Sequence, residues 1–125
     1  MWIYLFIAVG GAIGAVSRYA LTNLITAMSG SDFPVGILIV NILGSLLIGV
    51  CFVAFVEKGL VSHLWRDAFM AGVLGAFTTF STFSLQTVGL VESGRYLAAV
   101  TYVISSVVIC IAAAAAGIWL TRQAI

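Results

Sequence analysis

The sequence predicts an all-α membrane protein with four transmembrane helices per chain, the third of them broken mid-membrane, assembled as an antiparallel homodimer. Of 125 residues, 63% are hydrophobic and 7% charged, whereas a soluble domain is about a quarter charged. The mean hydropathy is +1.26. A spanning helix needs about 20 residues, so about four spans with short turns exhaust the chain. The Lys and Arg residues then divide almost evenly between the two membrane sides, which is the signal for the antiparallel pair.

The apolar runs cover residues 2–24, 34–56, 67–91 and 96–120, and together they make one transmembrane domain over residues 1–125. The connections combine turn formers with charge: Ser29-Gly30-Ser31-Asp32, Glu57-Lys58-Gly59 through Arg66, and Glu92-Ser93-Gly94-Arg95. Pro34 suits the first turn of the second helix, where its missing N–H costs nothing. Trp2, Tyr4, Trp65, Tyr96 and Trp119 fall near run ends, as an aromatic belt at the membrane surface requires. An even number of spans puts both termini on one side with Lys58, Arg66 and Arg122, against Arg18 and Arg95 on the other. So small a bias predicts insertion in both directions, and two opposed copies reproduce the inverted symmetry that many transporters build into one chain. The alternative is a single orientation set weakly by Lys58 and Arg66.

Several function classes lose their equipment. A net charge of +1 and a single His provide no basic stripe, so no nucleic-acid partner is expected. Cys51 and Cys110 lie inside apolar runs and read as small buried hydrophobes. The N-terminus has no basic n-region, so a cleaved signal peptide is not expected. Asp32, Glu57, Asp67, Glu92 and His63 all lie in loops or at helix ends. Proton-coupled pumping needs an ionisable group inside the membrane, and enzymatic hydrolysis needs clustered acids, histidines or thiols. Passive conduction is the stronger class, and the chain is not expected to be an enzyme.

The densest polar signal is in the third span, where five of the seven residues from Thr78 to Ser84 carry hydroxyls. A single hydroxyl in a membrane helix ordinarily bonds its own backbone one turn back; this density also suits a polar track offering donors to a desolvated anion. Phe77, Phe80 and Phe83 share a face if the helix is regular, and a ring edge is positive enough to contact an anion. Core packing is the ordinary reading of such a stripe. Gly72 and Gly75 flank this stretch, either as packing glycines or as the place where the helix breaks and frees carbonyls for a cation. Asn41 stands about 10 Å along the second helix from Pro34, where its amide can make an interhelical hydrogen bond or donate to an anion. Arg18 lies roughly 24 Å along the first helix from Trp2, near the far edge of a core about 30 Å thick. It either snorkels to the surface or supplies a positive vestibule. Small residues recur at packing spacing in Gly10/Gly14, Gly11/Ala15, Ser45/Gly49 and Ala71/Gly75, which implies tight helix association in lipid.

Three motifs in this order resemble the Fluc family of fluoride channels along essentially the whole chain: Gly10-Gly11-Ala12-Ile13-Gly14-Ala15-Val16-Ser17-Arg18-Tyr19, Asn41-Ile42-Leu43-Gly44-Ser45, and Gly75-Ala76-Phe77-Thr78-Thr79-Phe80-Ser81-Thr82-Phe83-Ser84. The resemblance implies a passive channel in the cytoplasmic (inner) membrane of a bacterium, exporting fluoride through two pores of a dual-topology homodimer. It implies Phe80 and Phe83 as pore phenylalanines, Asn41 as the pore amide, Ser81 and Thr82 as part of the hydroxyl track, and Arg18 as the vestibule cation. It also implies a structural sodium ion on the dimer axis, held by the backbone carbonyls of Gly75 and Thr78. In the fourth span the family supplies further hydroxyls; Ser106 is assigned there, while Cys110, where another hydroxyl is expected, is left out because a thiol is a weak donor.

Two rival readings differ in class. A small dual-topology multidrug exporter has the same size and span number but depends on a carboxylate inside the first helix, and residues 2–19 contain none. A structural membrane subunit without transport of its own would leave liposomes tight to fluoride.

Overall fold

Helix α1 occupies Trp2–Ser29, where Ala, Leu, Ile and Val dominate and no proline intervenes. In the computed structural model, which describes residues 1–125, it ends at Gly30. That residue takes the left-handed conformation (φ 60°) and donates its N–H to Thr26 O at 3.2 Å, a cap glycine adopts without steric cost. Helix α2 follows at Val35–Cys51, with Pro34 immediately before it accepting from Leu38 N at 3.3 Å. A π-helical segment, Phe52–Glu57, completes that span.

The third span is assembled from pieces. Helix α3 (His63–Asp67) runs into a π-helical stretch, Ala68–Leu74, then the single turn α4 (Gly75–Phe77). Thr78 and Thr79 are extended (φ/ψ −86°/156° and −150°/123°), and helix α5 restarts at Phe80 and runs to Glu92. Helix α6 is Tyr96–Ala124. Four stretches are thus long and apolar enough to cross a membrane, Trp2–Ser29, Val35–Glu57, His63–Glu92 and Tyr96–Ala124. The helices outrun the predicted spans at most ends, because the cap residues and not the apolar runs terminate them.

Close backbone approach at glycine holds the helices together. A Cβ on Gly10 or Gly14 would strike the carbonyl oxygens of Ala68 and Val73, so α1 lies directly against the first half of the third span. Between α2 and α6 the seam is reciprocal, with Gly49 against Ala114 O and Gly117 against Leu46 O. Such approach gives van der Waals contact where lipid supplies no hydrophobic force. Gly72 serves the same end, since an added Cβ would lie 2.7 Å from Ile7 O. Of the other predicted pairs, Gly11 only approaches Gly72 O (4.0 Å from an added Cβ), and Ala71 and Gly75 are exposed. Where α5 packs against the first turns of α2 and α6 lies a small core of Ile37, Phe83, Leu90, Ala99 and Tyr102, with Phe33 and Phe83 edge-on to Tyr102 at 5.5 and 5.0 Å.

Candidate functional site

The interruption at Thr78–Thr79 is made by a contact from α2. Asn41 Nδ2 donates to Thr79 O at 3.0 Å, and Thr79 N donates to Asn41 Oδ1 at 2.9 Å. In a continuous helix the Thr79 N–H would go to the Gly75 carbonyl. Asn41 replaces that partner, so an extended residue is tolerated among apolar surroundings, where an unpaired peptide group costs several kcal/mol. The Asn41 amide keeps one N–H beyond this bond. Gly44, one turn further along α2, leaves room for the Thr78 side chain, whose methyl occupies the place a Cβ would take.

Thr79 also caps α5. Its Oγ1 accepts from Thr82 N at 3.2 Å, satisfying one of the orphan donors of the new helix start. The Thr78 hydroxyl turns back to Leu74 O at 3.0 Å. The glycines predicted to mark the break sit upstream of it: Gly72 packs on Ile7 and Gly75 opens α4, while the extended residues are Thr78 and Thr79. The interruption also divides the phenylalanine stripe. Phe77 belongs to α4 and Phe80 and Phe83 to α5, so the three do not form one face.

A cleft of about 420 Å³ opens at the interruption. Of the residues predicted from sequence, Asn41, Gly75, Thr78, Phe80, Phe83 and Ser106 line it together. Ser45, Thr79, Met70 and Cys110 line it as well, and no carboxylate or amine does. Every polar group there is neutral. Phe83 is 7% exposed and Phe80 75%, with ring centroids 5.4 Å apart and planes at 61°. Ser106, 7% exposed, has a buried Oγ with no hydrogen-bond partner. A buried hydroxyl without a partner is costly, and it is a ready donor for whatever enters.

Ser81, Thr82 and Arg18 lie outside the cleft lining. Ser81 and Thr82 connect to it through Thr79 Oγ1, at 3.3 and 3.2 Å. Arg18 is partly exposed on α1. Beside the core, Tyr102, fully buried, donates its hydroxyl to Gln86 Oε1 at 2.6 Å. Thr79 and Gly44 were not singled out as site residues on the sequence. The signal for Thr79 was present, since a threonine three residues before Thr82 at a helix restart reads as a cap; Gly72 and Gly75 drew the expected break upstream of it. Cys110, left out on sequence grounds, is in the lining.

No group of three or more His, Cys, Asp or Glu side chains comes together in the chain. A cation here would have to be held by carbonyl or hydroxyl oxygens, the ligand set that suits hard ions. The carbonyls at the end of α4 lose their helical N–H partners at the interruption, because Thr79 N goes to Asn41 and Thr82 N to Thr79 Oγ1. The donor set at Gly75 and Thr78 therefore fits such an ion.

Four apolar helices, one interrupted beside a cleft of neutral donors, define a multi-pass membrane protein. Residues 5–118 match the family described as CrcB-like protein, Camphor Resistance (CrcB). The chain belongs to this CrcB/Fluc family, the one its motifs resemble. It is 47% identical over 117 residues to a protein of Hahella chejuensis, covering 94% of this chain and 92% of that one. It is 44% identical over 121 residues to one of Saccharophagus degradans (97% and 90% covered) and 45% identical over 121 residues to one of Coxiella burnetii (95% and 97%). Each of these relatives is named fluoride-specific ion channel FluC.

Proposed function

We propose that this chain is a passive fluoride channel that exports the ion from the cytoplasm across the inner membrane of a bacterium. The observation that carries the reading is the cleft at the Thr78–Thr79 interruption, lined by neutral donors and two phenylalanines and free of carboxylates, in a chain 47% identical to a fluoride-specific channel. A small, strongly hydrated anion needs donors to replace its water, but a fixed charge deep in the path would hold it too tightly to leave. Asn41 and Ser106 supply neutral N–H and O–H groups, and Phe80 and Phe83 supply positive ring edges. Ser81 and Thr82 belong to the hydroxyl track along α5. Arg18 raises the anion concentration at a pore mouth without touching the ion in transit.

The working unit in this reading is an antiparallel homodimer with two pores. Phe80 and Gly75 line the cleft and are exposed, and a second copy would close it. The carbonyls of Gly75 and Thr78 would face their symmetry mates and hold a central sodium ion, whose chemistry is structural, tying the two interruptions together. The test is growth: a bacterium lacking its own fluoride export should grow in millimolar fluoride when it expresses this chain. Failure to grow, with the protein present in the membrane, would refute the reading.

A further inference from the structure

The five hydroxyls from Thr78 to Ser84 are not equivalent. A hydroxyl has one proton to give and two lone pairs. Thr78 gives its proton to Leu74 O at 3.0 Å, and Ser84 gives its proton to Phe80 O at 2.9 Å, so both are turned back onto their own backbone. Thr79 donates to Thr82 Oγ1 at 3.2 Å and accepts the Thr82 N–H at 3.2 Å. With the Thr79 proton already placed, its 3.3 Å contact with Ser81 Oγ is a bond in which Ser81 donates. That fills both lone pairs and the proton of Thr79. Four of the five protons are thereby committed, and the chain provides no acceptor for the fifth, on Thr82.

We propose that Thr79 is a positioning residue that sorts these protons, holding the Ser81 hydroxyl to itself and leaving the Thr82 hydroxyl as the α5 donor to the anion. Thr79 is the joint between the two regions, since it lines the cleft while Ser81 and Thr82 do not. Thr82 adjoins the cleft through this bond, its Oγ1 accepting from the lining residue Thr79 while its own proton stays uncommitted. Ser106 is its counterpart on α6, a second hydroxyl with nothing in the chain to bond. Accepting a bond from Thr79 also polarises the Thr82 hydroxyl and strengthens it as a donor, as in any hydrogen-bonded chain. This inference rests on the fluoride-channel reading.

The test is fluoride efflux from liposomes holding the full-length protein, with folded yield measured on the same preparations. Thr82→Val should lower efflux about tenfold more than Ser81→Ala, the effect of losing a hydrogen bond to a charged partner. In a Thr79→Val background the Ser81 proton is released, and the gap between the two substitutions should close. Thr79→Ser keeps all of the bonds and should restore the gap. A role confined to capping α5 would lower the folded yield of Thr79→Val without changing the ranking. Ser81→Ala as damaging as Thr82→Val while Thr79 is intact overturns the proposal, and that comparison decides even if Thr79→Val gives no folded protein. Unsubstituted protein that releases no fluoride overturns the channel reading and this inference with it; efflux with the wrong ranking overturns this inference alone.

Discussion

Phe80 and Phe83 lie one helical turn apart on α5 in opposite surroundings. Phe83 is 7% exposed and packs edge-on to Tyr102 at 5.0 Å, whereas Phe80 is 75% exposed in the single chain. Substitution by isoleucine keeps much of the apolar volume but removes the ring edge. At Phe83 it should destabilise the protein by about 1.5 kcal/mol, the order of a near-isosteric core exchange. At Phe80 it should cost the isolated chain little, so a sharp fall in fluoride efflux from well-folded Phe80→Ile protein would assign the loss to the ring. Thermal unfolding and efflux on the same preparations check both, and full efflux through the double variant would leave the rings as packing residues. Asn41, Phe80 and Phe83 stood out in the sequence because an amide and a phenylalanine stripe interleaved with hydroxyls are unusual within apolar runs, whereas Ser106 was named through the family resemblance alone; all four line the cleft. Thr79 was not, because its importance comes from bonds to Asn41 and Thr82 that only the folded chain assembles.

Among the elements, α5 depends on a residue of α2 for its start. The two Asn41 bonds reach 38 residues along the sequence, which is why the four spans could be read from apolar runs but the place of the interruption could not. Glycine spacing pointed to Gly72 and Gly75, and packing against Ile7 took the first of these for another purpose. Asn41→Asp is the sharpest probe of the clasp. A carboxylate still accepts the Thr79 N–H but cannot donate to Thr79 O, and it places a negative charge on the proposed path. We expect about 1–3 kcal/mol of destabilisation from the unsatisfied carbonyl together with loss of efflux, measured by unfolding and by flux. The α2–α6 seam makes an independent prediction. Gly117→Val would drive a side chain into Leu46 O, so folded yield should fall with a cost of at least about 1–3 kcal/mol, because backbone cannot move aside as a side chain can.

For the molecule as a whole, the apolar surface points outward to a membrane. Only 19 of 125 residues are buried in the single chain, and large apolar side chains such as Leu97, Leu85 and Val16 stand exposed, a surface that only lipid or another chain can cover. Arg122 is paired with Glu57 and Arg66 with Asp67, while Arg95 reaches Asp32 O at 3.5 Å. The Lys and Arg count, three against two, leaves the orienting bias between the sides small whatever the pairing, so C-terminal reporter tags should appear on both faces of the membrane in comparable amounts. Adding two or three lysines to one short loop should fix the orientation and reduce export, and co-expression of an oppositely biased copy should restore it. The central claim is passive conduction of fluoride, and its most direct measurement is ion release from liposomes containing the purified chain, followed with fluoride- and chloride-selective electrodes after potassium permeability is supplied and with no pH gradient. Rapid release of fluoride with chloride retained is the predicted result, and liposomes that hold both ions, or release both alike, would contradict it.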